Sequence, residues 1–265
     1  MKYIDIHGHV NLPQFDVDRE EVFARAAAAE VGMIIIGTDI ESSVRAVELA
    51  HAHENVWAVV GIHPTEVSAL QRPDLGGQAS AVSVLKELSR NPKVVAIGEC
   101  GLDYVSSTPE EITQQKELFI QHILLANEIG KPLMLHVRNG KEMKGAYQEA
   151  LSILKVHAQV RFNFHFFAGT PQDAADIVAL NGTISFTGVL TFTKDYDVVI
   201  RTVPLTHIMS ETDCPFVAPI PYRGKRNEPA YVIEVVKAIA RIRGEDEGKV
   251  TRQLLENARA FFVLR

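Results

Sequence analysis

Near the start of the chain stands Asp5-Ile6-His7-Gly8-His9, whose residue types and spacing suit a divalent ion. Residues 3–7 read as a short strand, on which alternate side chains share a face. If the extended conformation persists, Asp5, His7 and His9 point the same way, and two imidazoles one residue apart make a metal clamp. Groups of this kind recur downstream: His63, Glu99, His136, His165 and Asp213 each stand at or just beyond the end of an apolar, β-rich run. A carboxylate or imidazole among such neighbours is costly unless it is paired or coordinated. His7, His9, Glu99, His136, His165 and Asp213 offer four imidazoles and two carboxylates, more than one tetrahedral ion takes. The expectation is therefore two divalent ions sharing one carboxylate. Glu99, midway in order, is the expected bridge, with His7, His9 and Asp213 on one ion and His136 and His165 on the other. Two ions about 3.5–4 Å apart can activate water and stabilise both oxygens of an in-line phosphoryl displacement. Asp213 is expected to orient that water and accept its proton. Such imidazole-rich ligation suits Zn²⁺, Mn²⁺, Co²⁺ or Ni²⁺ better than Mg²⁺, which prefers oxygen.

Something must bring these residues together. Apolar runs at 3–6, 33–37, 56–61, 94–98, 133–137, 161–166, 183–188 and 207–210 read as eight strands. Amphipathic segments at 19–29, 40–53, 79–90, 110–129, 144–157, 171–180, 230–243 and 249–261 read as helices. Strands alternating with helices predict a parallel sheet, and eight units predict closure into a single (β/α)₈ TIM-barrel domain over residues 1–265. In that fold the C-terminal strand ends share one mouth, where the candidate ligands would meet.

The bulk numbers fit a globular enzyme: 265 residues, 46% hydrophobic and 23% charged. No apolar run approaches the roughly 20 residues needed to span a bilayer, and no secretory signal opens the chain, so a cytoplasmic setting is expected. Cys100 and Cys214 form no Cys-x-x-Cys pair and are expected to be reduced thiols. A net charge of −6 argues against a protein that coats nucleic acid, but not against an enzyme with a locally positive site.

These residues carry a resemblance. Asp5-Ile6-His7-Gly8-His9, Gly61-Ile62-His63-Pro64, Gly98-Glu99-Cys100-Gly101-Leu102-Asp103-Tyr104, His136-Val137-Arg138, His165-Phe166-Phe167-Ala168-Gly169, Glu211-Thr212-Asp213-Cys214-Pro215 and Tyr222-Arg223-Gly224-Lys225-Arg226-Asn227-Glu228-Pro229 follow one another across nearly the whole chain. In this order they resemble the TatD family of metal-dependent deoxyribonucleases, within the amidohydrolase-like metal barrels. The resemblance implies a single barrel, metal-dependent hydrolysis of DNA, often exonucleolytic, and ligation at His7, His9, Glu99, His136, His165 and Asp213. The substrate expected is single-stranded or frayed DNA. Cys100, Phe166 and Cys214 depart from the residues common in the family, and Asn139-Gly140 stands where relatives often have a small residue and an acid. None is an expected ligand.

Several residues admit two readings. His63 either contacts a substrate phosphate or packs against its Pro64 turn. Asp5 is expected to anchor rather than ligate. Glu211 is expected in the interior, with proton transfer as the sharper alternative. Arg223-Gly224-Lys225-Arg226 is either a solvated loop or a clamp for backbone phosphates, and Arg138 is a second phosphate contact. Tyr104, Phe167, Phe192 and Tyr222 either pack or stack bases. His51, His53, His122, His157 and His207 are expected to be structural. Two rival functions remain at this level: a carbon–nitrogen or ester hydrolase of amidohydrolase type, and a non-catalytic metal- or nucleic-acid-binding barrel. A membrane contact or an obligate protein partner is not expected.

Overall fold

The structure, a computed structural model, describes residues 1–71, 77–105 and 107–264. The strands are β1 (Tyr3–Gly8), β2 (Val31–Ile36), β3 (Val56–Val60), β4 (Val94–Asp103), β5 (Leu133–Arg138), β6 (Phe162–Phe164), β7 (Thr183–Phe186) and β8 (Ile208–Ser210). They pair in parallel and in sequence order. Between and after them run α1 (Arg19–Ala28), α2 (Ile40–Ala52), α3 (Gly77–Ser89), α4 (Pro109–Ile129), α5 (Ala146–His157), α6 (Pro171–Ala179), α7 (Asp197–Thr202), α8 (Val232–Arg243) and α9 (Glu247–Phe262). The expected (β/α)₈ barrel is the fold observed. Its seam closes just beyond β1 and β8, where His9 N–H donates to the Cys214 carbonyl (2.7 Å) and Asp213 N–H to that of His7 (2.8 Å). No helix among the described residues is long and apolar enough to cross a membrane.

Helix starts follow from local chemistry. Thr108 with Glu111 and Thr170 with Asp173 form capping boxes, each with a proline at the next position, and Asp39 pairs with Ser42 in the same way. The strands then bury both faces. One set, including Tyr3, Met33, Ile35, Ala58 and Leu135, packs with helix residues such as Val22, Val47 and Phe119. The alternate set, Ile4, Ile6, Ile34, Ile36, Val59, Val95, Met134 and Met209, packs with Phe261 and Phe262 of α9. α9 therefore caps the end where the strands begin, and Asn257 on it donates to the Leu205 carbonyl ahead of β8 and the Ile208 carbonyl at its start.

Three elements differ from the sequence reading. β4 does not stop at Gly98 but continues to Asp103, because a register irregularity between Ile97 and Cys100 absorbs the glycine instead of ending the strand. α7 lies in a stretch rich in β-branched residues (Val198, Val199, Ile200, Thr202) that carries a weak helical signal. His207, expected to open the last strand, ends a 3-10 turn just before it.

Candidate metal centre

The two strands that deliver the central ligands both break register at that point. β1 shifts against β2 between Asp5 and Gly8, and the bulge intervenes between Ile6, which packs with the α9 residues, and the pair His7 and His9. Strict alternation from Asp5 therefore does not hold. The Asp5 carboxylate instead accepts from Thr212 N–H (2.8 Å), Thr212 Oγ1 (2.5 Å) and His7 N–H (3.3 Å), tying the end of β1 to the segment after β8. Its burial pushes the Asp5 carboxyl up to about 8, against those hydrogen bonds. In β4 the irregularity turns Glu99 into the barrel. Gly98 sits there at φ 148°, and a Cβ on Gly61 would come within 2.2 Å of the Gly98 carbonyl carbon. Both positions need glycine for the chains to approach this closely.

Glu99 is 3% exposed and divides its two oxygens between two groups of imidazoles. Oε2 lies 3.3 Å from His7 Nε2 and 3.7 Å from His9 Nε2. Those nitrogens are 3.3 Å apart, and Asp213 Oδ1 is 3.3 Å from His9 Nε2 and 3.9 Å from His7 Nε2. Oε1 lies 2.8 Å from His165 Nε2, 2.9 Å from His136 Nδ1 and 3.6 Å from His63 Nε2. A tetrahedral ion with ligands at about 2.0–2.1 Å sets its donors about 3.3–3.4 Å apart. The first group matches that spacing on most of its edges. In the second, His136 and His165 are 3.3 Å apart, and their contacts with Glu99 are of hydrogen-bond length. Facing nitrogen pairs of this kind leave lone pairs directed at one another unless a proton or a cation lies between them. The donor set therefore fits divalent ions.

Charge states follow from the same crowding. Burial alone would raise Glu99, but the surrounding rings of His165, His7 and His63 hold it well below the usual carboxylate range. Burial is likewise outweighed at Asp213, which His9 holds ionised. It is outweighed at His165 as well, whose ring is raised well above its ordinary value by Glu99 and Glu211. His7 is lowered by burial and by the neighbouring His165. His63 falls to about 3 through burial and proximity to His136, so it is neutral at neutral pH. Its Nδ1 faces Thr65 Oγ1 (2.7 Å) and Thr65 N–H (3.3 Å), which places the ring proton on Nε2, toward Glu99.

Behind the ligands stand carboxylates. Asp103 Oδ2 is 2.9 Å from His136 Nε2, and Glu211 Oε1 is 3.6 Å from His165 Nδ1. Glu211 also accepts from Phe166 N–H (2.5 Å) and Ser185 Oγ (2.7 Å), which makes it an interior anchor. Asp103 had no role assigned from sequence. Its position depends on β4 running past Gly101 to end at Asp103. His122 on α4 accepts the Ile62 N–H (3.1 Å) and donates to the Leu118 carbonyl (2.8 Å), holding the turn that carries His63.

A cavity of 730 Å³ opens over these residues. His63, Thr65, Glu66 and Arg138 line one side, and Phe166, Val189, Tyr196, Phe216 and Val217 line the other. Tyr196, Phe216 and Glu66 were not singled out from sequence. Three lining residues have left-handed backbone: Phe166, Asp213 and Val217, with φ of 42°, 54° and 52°. Of the basic residues, Arg138 reaches the cavity. Arg223 lies over the Phe192 ring, 4.0 Å from its centroid, and Arg226 pairs through both terminal nitrogens with Asp18 (2.7 and 2.6 Å). Tyr104 and Phe167 are buried, and Tyr222 stacks on Tyr231, so of the four aromatics considered for base stacking only Phe192 is exposed.

Comparison with known proteins gives this geometry its context. The family model for TatD-related DNases matches residues 4–263. An uncharacterized metal-dependent hydrolase of Bacillus subtilis, YabD, is 36% identical over 97% of this chain and 98% of its own length. A protein of Cronobacter sakazakii named 3′-5′ ssDNA/RNA exonuclease TatD is 32% identical, covering 98% of this chain and 97% of its own. The crystal structure of YjjV, a TatD homolog from Escherichia coli, superposes with a TM-score of 0.86 at 27% identity, covering 100% of this chain and 99% of that one. The chain belongs to the TatD-related DNase family and is a metal-dependent hydrolase of that family.

Proposed function

We propose that this protein is a two-metal exonuclease that hydrolyses phosphodiester bonds at the 3′ ends of single-stranded DNA or RNA. One observation carries the reading: the Glu99 carboxylate divides its oxygens between two imidazole groups at the floor of an open cavity. His7, His9, Glu99 and Asp213 would hold one ion, and Glu99, His136 and His165 the other. When bound, two such ions lower the pKa of water and neutralise charge on the phosphoryl oxygens.

The chain's own groups do the rest. Asp213 is ionised and reaches the cavity, so it is placed to orient the attacking water and accept its proton. His63 presents an N–H from Nε2, and Arg138 a guanidinium, on the same wall, where they hold a phosphate. Arg226, engaged with Asp18, orders the loop. The exonuclease name of the Cronobacter relative supports polarity and substrate class. Residues 1–265 would act as one domain, and the two buried, unpaired thiols of Cys100 and Cys214 accord with a reducing cytoplasm.

The test is digestion of 5′-labelled single-stranded DNA by metal-stripped protein, with Mn²⁺, Zn²⁺ or Mg²⁺ restored. The reading expects a ladder shortening from the 3′ end, restored by metal and absent from Asp213→Ala. No cleavage with any metal, alongside turnover of a cyclic amide, would move the assignment to a carbon–nitrogen hydrolase.

A further inference from the structure

Among the described residues, Phe192 and Phe216 are the only exposed phenylalanines, at 42% and 48%. Phe216 lines the cavity itself. Phe192 lies one turn beyond Val189, another lining residue, and donates its N–H to the Val189 carbonyl (3.1 Å). Ile220, 50% exposed, is fastened to the same turn through its N–H and Thr191 Oγ1 (2.9 Å). An apolar strip thus continues from the cavity wall onto the outer surface.

A cation lies on it. The Arg223 guanidinium sits 4.0 Å from the centre of the Phe192 ring, with Nη1 on the Ala218 carbonyl at 3.3 Å. A guanidinium laid on a ring offers its outer plane to a base and its N–H edge to a phosphate. Among the described residues four cations lie over aromatic rings, and of the four rings only that of Phe192 is exposed. We propose that Phe192, Ile220 and Arg223 form a second seat for single-stranded nucleic acid. It takes a nucleotide further toward the 5′ end than the two that flank the scissile bond, outside the cavity and beyond the reach of a dinucleotide. This inference rests on the exonuclease reading and adds to it a preference for longer strands.

The seat is tested by measuring kcat and KM on a thymidine dinucleotide and on an oligothymidylate of about twelve residues, for wild type, Phe192→Ala and Arg223→Gln. Each variant is expected to raise KM for the oligomer roughly tenfold, in line with the loss of one stacked base. KM and kcat for the dinucleotide stay unchanged, which also reports intact folding. An unchanged oligomer KM, or an equal change on both substrates, would overturn the seat while leaving the nuclease reading standing. Failure of the wild type to cut either substrate would remove both.

Discussion

The two sides of the mouth hold similar donors in different ways. On the β1–β8 side, His7, His9 and Asp213 are fixed by main chain: the seam hydrogen bonds of His9 and Asp213, and the Asp5 carboxylate that bonds both strands. The outer nitrogen of His7 has no partner, and that of His9 lies 3.3 Å from the Ile36 carbonyl. On the β4–β6 side, His136 has the Asp103 carboxylate 2.9 Å behind it, while Glu211 stands 3.6 Å from the outer nitrogen of His165, which like that of His7 makes no hydrogen bond. The side chains of His136 and His63 are 17% and 16% exposed, against none for His7. A carboxylate behind an imidazole raises its basicity and fixes its ring. The lesson is that the first of the proposed ion positions would be set by backbone geometry, and the second tuned by the Asp103 side chain behind His136.

The largest expected effect comes from the first side. In the proposed partition, Asp213→Ala removes a ligand and the proton acceptor together. We expect kcat on single-stranded DNA to fall at least about 10³-fold, with the ion on His136 and His165 retained. Loss of both ions in that variant would contradict the partition.

Next is the support of the second side. His122 is buried and lowered to about 4 from an ordinary 6.5. Between those values an unfolded chain binds the proton and the folded one does not, so stability falls as pH drops from 6.5 to 4. The expected contribution is about 3 kcal/mol. His122→Gln, which keeps an acceptor for the Ile62 N–H, should flatten the pH dependence of urea unfolding by that amount. An unchanged profile would mean that His122 does not titrate across this range. The smallest effect is Asp103→Asn, expected to weaken the second ion about 10–100-fold and leave the first untouched, read by competition with a chelator. Equal weakening of both ions would erase the distinction between the two sides.

Much of this was legible in the sequence for identifiable reasons. The barrel followed from the spacing of buried strands, and the ligands from polar groups stranded at the ends of apolar runs, as with Glu99 after Val94–Gly98 and His165 among phenylalanines. Asp103 was hidden because Gly98 and Gly101 read as the end of a strand, whereas a bulge carries β4 through them. α7 was hidden by its β-branched residues. Asp5 followed the alternation rule only until the β1 bulge intervened. Arg226 showed its charge in the sequence, but its partner Asp18 is 208 positions away. Long-range pairing is what local pattern does not encode.

The central claim is that one carboxylate serves both ions. Metal content of purified protein, loaded with Mn²⁺ or Zn²⁺ and dialysed, measures it directly in wild type and in Glu99→Ala. Two ions per chain in the wild type and none in the variant is the predicted result. A folded Glu99→Ala protein that keeps either ion would contradict it.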